Sequence, residues 1–151
     1  METTTTIPVR SFHTDCFGHV YHGRYVELLE EGRWAYMENN PAIAAALHKE
    51  GIGHAVVHLS IRYHSEARLG DRLDITTRVQ AAGRHGVTMA QTIANRRTGR
   101  QVVSAEVTNL YYRGNLQSKV PVNDPVFDKW DDLQAVSGGY GPQGGPLSGP
   151  P

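Results

Sequence analysis

Two hydrophobic periods divide the chain. Around His22–Gly23 to Asn39, Tyr25, Leu28, Leu29, Gly32, Ala35 and Tyr36 recur at the three- and four-residue spacing of one helix face. Glu27, Glu31 and Glu38 form a polar stripe on another face. At a rise of 1.5 Å per residue this helix is roughly 25 Å long, enough to cross a small sheet. Pro41 disfavours helical geometry at the residue before it and so ends the helix near Asn39–Asn40. Asn40 then caps a second, short, alanine-rich helix from Pro41 to Glu50, with Gly51 past its end.

From His54 the period becomes two. Val57, Leu59, Ile61 and Tyr63 face one way, and Val56, His58, Ser60, Arg62 and His64 the other. Arg72 to Ala82 and Val87 to Asn95 alternate again, and Gln101 to Tyr112 is the longest strand segment. Leu69–Gly70–Asp71, Gly83 to Gly86 and Arg97–Thr98–Gly99 mark the turns between them. Ile7 to Phe12 reads as a first strand. One helix and a run of antiparallel strands predict an α+β domain over residues 1–133. Residues 134–151, which end in GGYGPQGGPLSGPP, are expected to form a flexible Gly/Pro-rich tail.

Composition narrows the functional classes. Fifteen basic and fifteen acidic residues leave no formal charge, which argues against a nucleic-acid or anionic-membrane partner. No apolar stretch is long enough to span a bilayer, and the start METTTTIP has neither the basic nor the apolar region of a signal peptide. The single cysteine, Cys16, has no internal partner for a disulfide. These features predict a cytoplasmic protein, and a chain this small gains buried surface by oligomerising.

The candidate chemistry sits where strand gives way to helix. Asp15 lies in a loop with His13, His19 and His22 that ends at the N-terminus of the long helix. The first amides of a helix lack intrahelical acceptors, and the helix dipole adds partial positive charge there. Amides at His22 or Gly23 can therefore polarise a carbonyl, with a carboxylate a few residues upstream as base or nucleophile, which is the minimum for acyl transfer. The competing reading is that Asp15 only caps its loop. Glu30 and Arg33, three apart, read as an ion pair. His54, His58 and His64 suggest a metal, but at 3.3 Å per residue the outer two stand roughly 33 Å apart on a strand. No metal or other cofactor is expected. No base at a triad-like spacing singles out Cys16.

The segment HTDCFGHVYHGRYVELLEEGRW resembles the active-site segment of the hotdog-fold acyl-CoA thioesterases, the 4-hydroxybenzoyl-CoA thioesterase group. The features that carry the resemblance are Asp15, Gly18, His19, Val20, His22, Tyr25, Glu30 and Arg33, with weaker similarity over Ser60 to Leu73. It covers roughly Val9 to Tyr112. It implies a hotdog fold, an antiparallel five-stranded sheet wrapped around one long central helix. Subunits would pair as a homodimer or homotetramer, with active sites at the interface. It implies thioester hydrolysis without a metal, Asp15 acting as base or nucleophile, the amides at His22 and Gly23 as oxyanion donors, and His22 as the group orienting water or substrate. Gly18, His19, Tyr21, Gly23, Tyr25, Glu30, Ser60 and Arg68 would contact the acyl-CoA substrate. Independently of the resemblance, Arg62, Arg68, Arg72 and Arg84 are candidates for its phosphates, against the competing reading of most of them as solvated edge and turn residues. The chain departs from the family pattern at Ser11, where other members have Tyr, and at His13, where many have an acid. The rival activities are a hotdog hydratase or dehydratase, whose Asp–x–Asn–Pro–x–His signature is absent, and a non-catalytic acyl-thioester binding module.

Overall fold

The computed structural model describes residues 1–137. Five strands form one antiparallel sheet: β1 (Glu2–Pro8), β2 (Ile52–Tyr63), β3 (Arg72–Ala82), β4 (Gly86–Asn95) and β5 (Gln101–Arg113). The spatial order is β1-β3-β4-β5-β2, so β1 and β2 are the edges. Helix α1 (Arg24–Glu38) lies on one face, buried through Tyr25, Leu28, Leu29, Gly32 and Tyr36, the stripe its periodicity predicts. This is the hotdog arrangement. Two further helices flank α1, the expected α2 (Pro41–Lys49) and an unexpected α3 (Asp131–Ser137). Helix α3 runs across the domain boundary expected at 133/134, and the remainder of the expected tail lies outside the described residues.

Two elements differ from their expected positions. The first strand is Glu2–Pro8 rather than Ile7 to Phe12, and Ser11–His13 is a single 3-10 turn. The β-branched threonines of METTTTIP favour extended backbone and form cross-strand pairs, Thr4 with Thr76 at 2.9 Å and Thr6 donating to Asp74 at 2.6 Å. Pro8, which has no N–H to give a ladder, is its last residue. In β2, the register shifts between Val56 and His58, a bulge that reverses the alternation. His54 and His58, expected on one face, therefore pair with Tyr111 and Thr108, residues of opposite faces of β5.

Helix and sheet meet in two apolar clusters. Leu29, Ile75, Ile93 and Val103 pack beneath the first half of α1; Tyr36, Met89, Tyr111, Phe127 and Trp130 close the other end. Burying each such side chain contributes roughly 1.5–3 kcal/mol. Gly32 sets the approach: a Cβ there would stand 2.5 Å from Ile75 Cγ2 and 2.9 Å from both Gln91 Nε2 and Thr77 Oγ1. The buried amide of Gln91 fastens the helix, its Nε2 donating to the Leu29 carbonyl and Thr77 Oγ1 at 2.8 Å each, its Oε1 accepting from Arg33 at 3.0 Å.

Candidate active site

Thr14 and Val20 pair as an isolated antiparallel bridge, and Asp15 N–H donates to the His19 carbonyl at 2.8 Å, so residues 14–20 form a small hairpin. Gly18, with φ of 79°, occupies the left-handed position that closes it. A second bridge, His19 to Arg68, and the Val20 N–H donating to the Ala67 carbonyl at 2.9 Å tie the hairpin to the segment before β3. Tyr21 N–H donates to His13 at 2.9 Å, after which the chain enters α1.

Asp15 is half-buried, and its two oxygens differ. Oδ1 accepts the N–H of Phe17 at 2.9 Å and of His19 at 3.3 Å, holding the hairpin turn. Oδ2 has no hydrogen-bond partner among the described residues. The capping geometry is present, then, but it occupies one oxygen and leaves the other available. Eight residues on, Gly23 is the N-cap of α1. The Arg24 N–H donates to the Tyr21 carbonyl and the Tyr25 N–H, weakly, to that of His22. The amides of His22 and Gly23 have no acceptor among the described residues.

Around this N-terminus lies an aromatic wall. The Tyr63 hydroxyl donates to the His22 carbonyl at 3.2 Å and its ring meets the His22 ring edge-on at 6.3 Å. Tyr25 is buried against Tyr63, with centroids 5.8 Å apart, and burial pushes its hydroxyl pKa up to about 12, so it stays neutral. The Tyr21 ring lies over Gly23, where a Cβ would stand 2.8 Å from it. His19 Nε2 meets Glu66 Oε2 at 3.0 Å, and Glu66 also receives Arg68 at 3.3 Å. His13 serves its own turn, accepting the Arg10 N–H at 2.8 Å on Nδ1, and burial lowers its pKa, which keeps that nitrogen free to accept. Exposed Cys16 sits at the hairpin tip.

Of the expected site residues, Asp15, Gly18, His19, Tyr21, His22, Gly23 and Tyr25 lie on the hairpin and the first turn of α1, and Arg68 borders it. Two do not join them. Ser60 pairs with Glu106, which bonds Gln80 on the sheet face away from α1. Glu30 lies further along α1, and the ion pair expected with Arg33 is absent among the described residues because Arg33 turns to Gln91. Tyr63 and Glu66 went unrecognised; Tyr63 carried only its place at the end of an alternating segment, and Glu66 carried no signal. Among the described residues, no group of three or more His, Cys, Asp and Glu side chains is placed to hold a metal ion.

Comparison with known proteins adds independent findings. The family model of the thioesterase-like superfamily matches residues 9–130. Long-chain acyl-CoA thioesterase FadM of Escherichia coli is 35% identical over 130 residues, spanning 85% of this chain and 97% of the relative. Acyl-CoA thioester hydrolase YbgC of Escherichia coli is 31% identical over 90 residues, 58% of this chain and 67% of the relative. Among solved structures, the probable thioesterase YbaW from Escherichia coli superposes with a TM-score of 0.77 at 29% identity, over 86% of this chain and 97% of that one. A 1,4-dihydroxy-2-naphthoyl-CoA thioesterase from Synechocystis superposes at 0.74 over 89% and 96% of the two chains, but at 18% identity this is a likeness of fold alone.

Proposed function

The chain belongs to the thioesterase-like superfamily and is a thioester hydrolase of the hotdog fold; from that premise we propose that it cleaves acyl-CoA to a free acid and coenzyme A, with Asp15 as the reacting carboxylate. The observation that carries this is the unequal use of Asp15: Oδ1 is held by two amides, while Oδ2 has no partner among the described residues, in a hairpin that leads into the helix N-terminus where the amides of His22 and Gly23 also lack acceptors. A thioester carbonyl accepting those amides gains stabilisation as its oxygen becomes negative, and the helix dipole has the right sign to help.

Two routes use the same atoms. As base, Asp15 takes a proton from water as the water oxygen bonds to the carbonyl carbon; the tetrahedral intermediate then expels the thiolate, which takes the proton back. As nucleophile, Oδ2 bonds to the carbonyl carbon, the thiolate leaves, and water hydrolyses the resulting mixed anhydride. Single turnover in heavy-oxygen water separates them: the nucleophilic route incorporates label through the anhydride and can leave it in Asp15, whereas the base route labels only the product acid. His22, exposed beside the amides, orients the water or the substrate.

We assign the assembly to at least a homodimer built on β2. Its outer edge is unpaired among the described residues, and Val56, Val57 and Tyr63 on it are exposed apolar side chains, which supports strand pairing with a second copy. Light scattering should return a mass of twice 16.7 kDa or more. On this reading the protein works in the cytoplasm; no helix among the described residues is long and apolar enough to cross a membrane. A thiol-reactive dye assay across acyl-CoAs of graded length tests the activity. Turnover of at least one is expected, and none across the panel contradicts the substrate class.

A further inference from the structure

The hairpin that carries Asp15 has little of its own to hold it. A two-stranded hairpin is marginal in water without a further strand or a core. Of residues 14–20 only Val20 is buried, and Phe17 at the tip is 80% exposed. What ties the hairpin to the sheet is the segment 66–68. The Val20 N–H donates to the Ala67 carbonyl at 2.9 Å, His19 bridges Arg68, and His19 Nε2 meets Glu66 Oε2 at 3.0 Å.

That segment is itself fixed at both ends. On one side the His64 N–H donates to the Val102 carbonyl at 2.8 Å and the Ser65 hydroxyl to that of Gln101 at 2.8 Å, both on β5. On the other the Arg68 N–H donates to Asp71 Oδ2 at 2.9 Å, a carboxylate that Asn95 and Arg97 also hold. Ala67 between them is fully buried. Glu66 therefore projects from a rigid base, and Arg68 on its Oε1 at 3.3 Å restricts its rotation.

The two amides on Asp15 Oδ1 are not equivalent. Phe17 belongs to the exposed tip and moves with it. His19 is the point at which the hairpin is tied down, so its N–H, at 3.3 Å, is the one that relates Asp15 to the body of the domain. We propose that Glu66 is a positioning residue for Asp15. Its Oε2 accepts the Nε2–H of His19, and the residue so held keeps its own amide on Asp15 Oδ1 and the direction of Oδ2 constant. The inference rests on the reading of Asp15 as the reacting carboxylate and deepens it. The Glu66 carboxylate selects the His19 tautomer with its proton on Nε2. The two side chains are 39% and 50% exposed, so their contact adds little to overall stability. Its effect falls on geometry, to which a reacting group is far more sensitive than the fold is.

The test measures kcat and KM for an acyl-CoA that the wild type hydrolyses, in full-length Glu66→Ala, Glu66→Gln, His19→Ala and the Glu66→Ala/His19→Ala double variant, with thermal unfolding alongside. Glu66→Ala should lower kcat at least about 3-fold, within what an exposed pair can contribute, with KM and Tm close to wild type. A smaller fall, or a change confined to KM, overturns the proposal. Glu66→Gln keeps an acceptor for Nε2–H and should retain more kcat than Glu66→Ala; an equal loss overturns the hydrogen bond as the cause. The double variant should be no slower than the slower single one, because both remove the same contact. Losses that multiply would show that the two side chains act independently and overturn the clasp. Asp15→Asn, assayed in parallel, separates the failures. Wild-type kcat in Asp15→Asn defeats the reading of Asp15 itself, whereas a large loss there with wild-type kcat in Glu66→Ala defeats this inference alone.

Discussion

Two aspartates on adjacent loops, joined by the His19–Arg68 bridge, use their oxygens differently. Asp71, 5% exposed, has both oxygens engaged. Its Oδ1 accepts from Arg97 Nε at 2.6 Å, and its Oδ2 from the Arg68 N–H at 2.9 Å, Asn95 Nδ2 at 2.8 Å and Arg97 Nη2 at 3.2 Å. These bonds, Arg97 first, hold its pKa down at about 2. Asp15 spends one oxygen on two backbone amides and leaves the other free. A carboxylate with both oxygens engaged is locked into the fold. One with a fixed orientation and an idle oxygen is what the proposed reaction requires, since the turn holds the group still and leaves that oxygen uncommitted.

The comparison breaks or sharpens at several points. The largest effect should come from Asp71→Ala, which strands Arg97, Asn95 and the Arg68 amide. Urea unfolding should register a loss of about 3 kcal/mol, at the low end for breaking a buried pair because Arg97 can turn to solvent. A loss under about 1 kcal/mol would show that Asp71 is not the structural member of the two. Acid titration of stability comes next. Because the folded pKa of Asp71 is depressed below the ordinary 3.8, its contribution is complete above pH 4. As pH falls from 4 toward 2 the unfolded state takes up the proton first, and about 2 kcal/mol is lost. Asp71→Asn should remove that loss from the profile. Gly32→Ala should cost about 1–2 kcal/mol in thermal unfolding: the gain in helix propensity is outweighed by the 2.5 Å approach to Ile75. The smallest effect belongs to Tyr63→Phe, which removes one exposed hydrogen bond to the His22 carbonyl. It should lower kcat/KM by roughly 2- to 5-fold, equivalent to about 0.5–1 kcal/mol, with no change in unfolding.

Much of this contrast was legible in the chain. The 3.6-residue stripe from Tyr25 to Tyr36 fixes the buried face of α1, because a helix on a sheet can bury only one side. The pattern Asp15–Gly18–His22–Gly23 marks a loop opening onto a helix N-terminus, and only motif resemblance weights Asp15 toward catalysis over an ordinary cap. Asp71 read only as part of a turn, since its partners Asn95 and Arg97 are more than twenty residues away and their convergence is tertiary. The bulge at Val57 was hidden for the same reason: alternation along a strand carries no record of where its neighbour skips a residue. Gln91 occupied an inward position of β4 without any local sign that it would fasten α1.

The most direct test of the difference between the two carboxylates is kcat for acyl-CoA hydrolysis by Asp15→Asn, in protein shown by thermal unfolding and light scattering to be folded and assembled as wild type. Asparagine keeps a side-chain acceptor for the Phe17 and His19 amides, so the turn should hold. On the proposed mechanism the reacting carboxylate is gone. The account predicts that kcat falls at least about 10²-fold while KM moves much less. Retention of more than roughly a tenth of wild-type kcat would contradict it and reduce Asp15 to a cap.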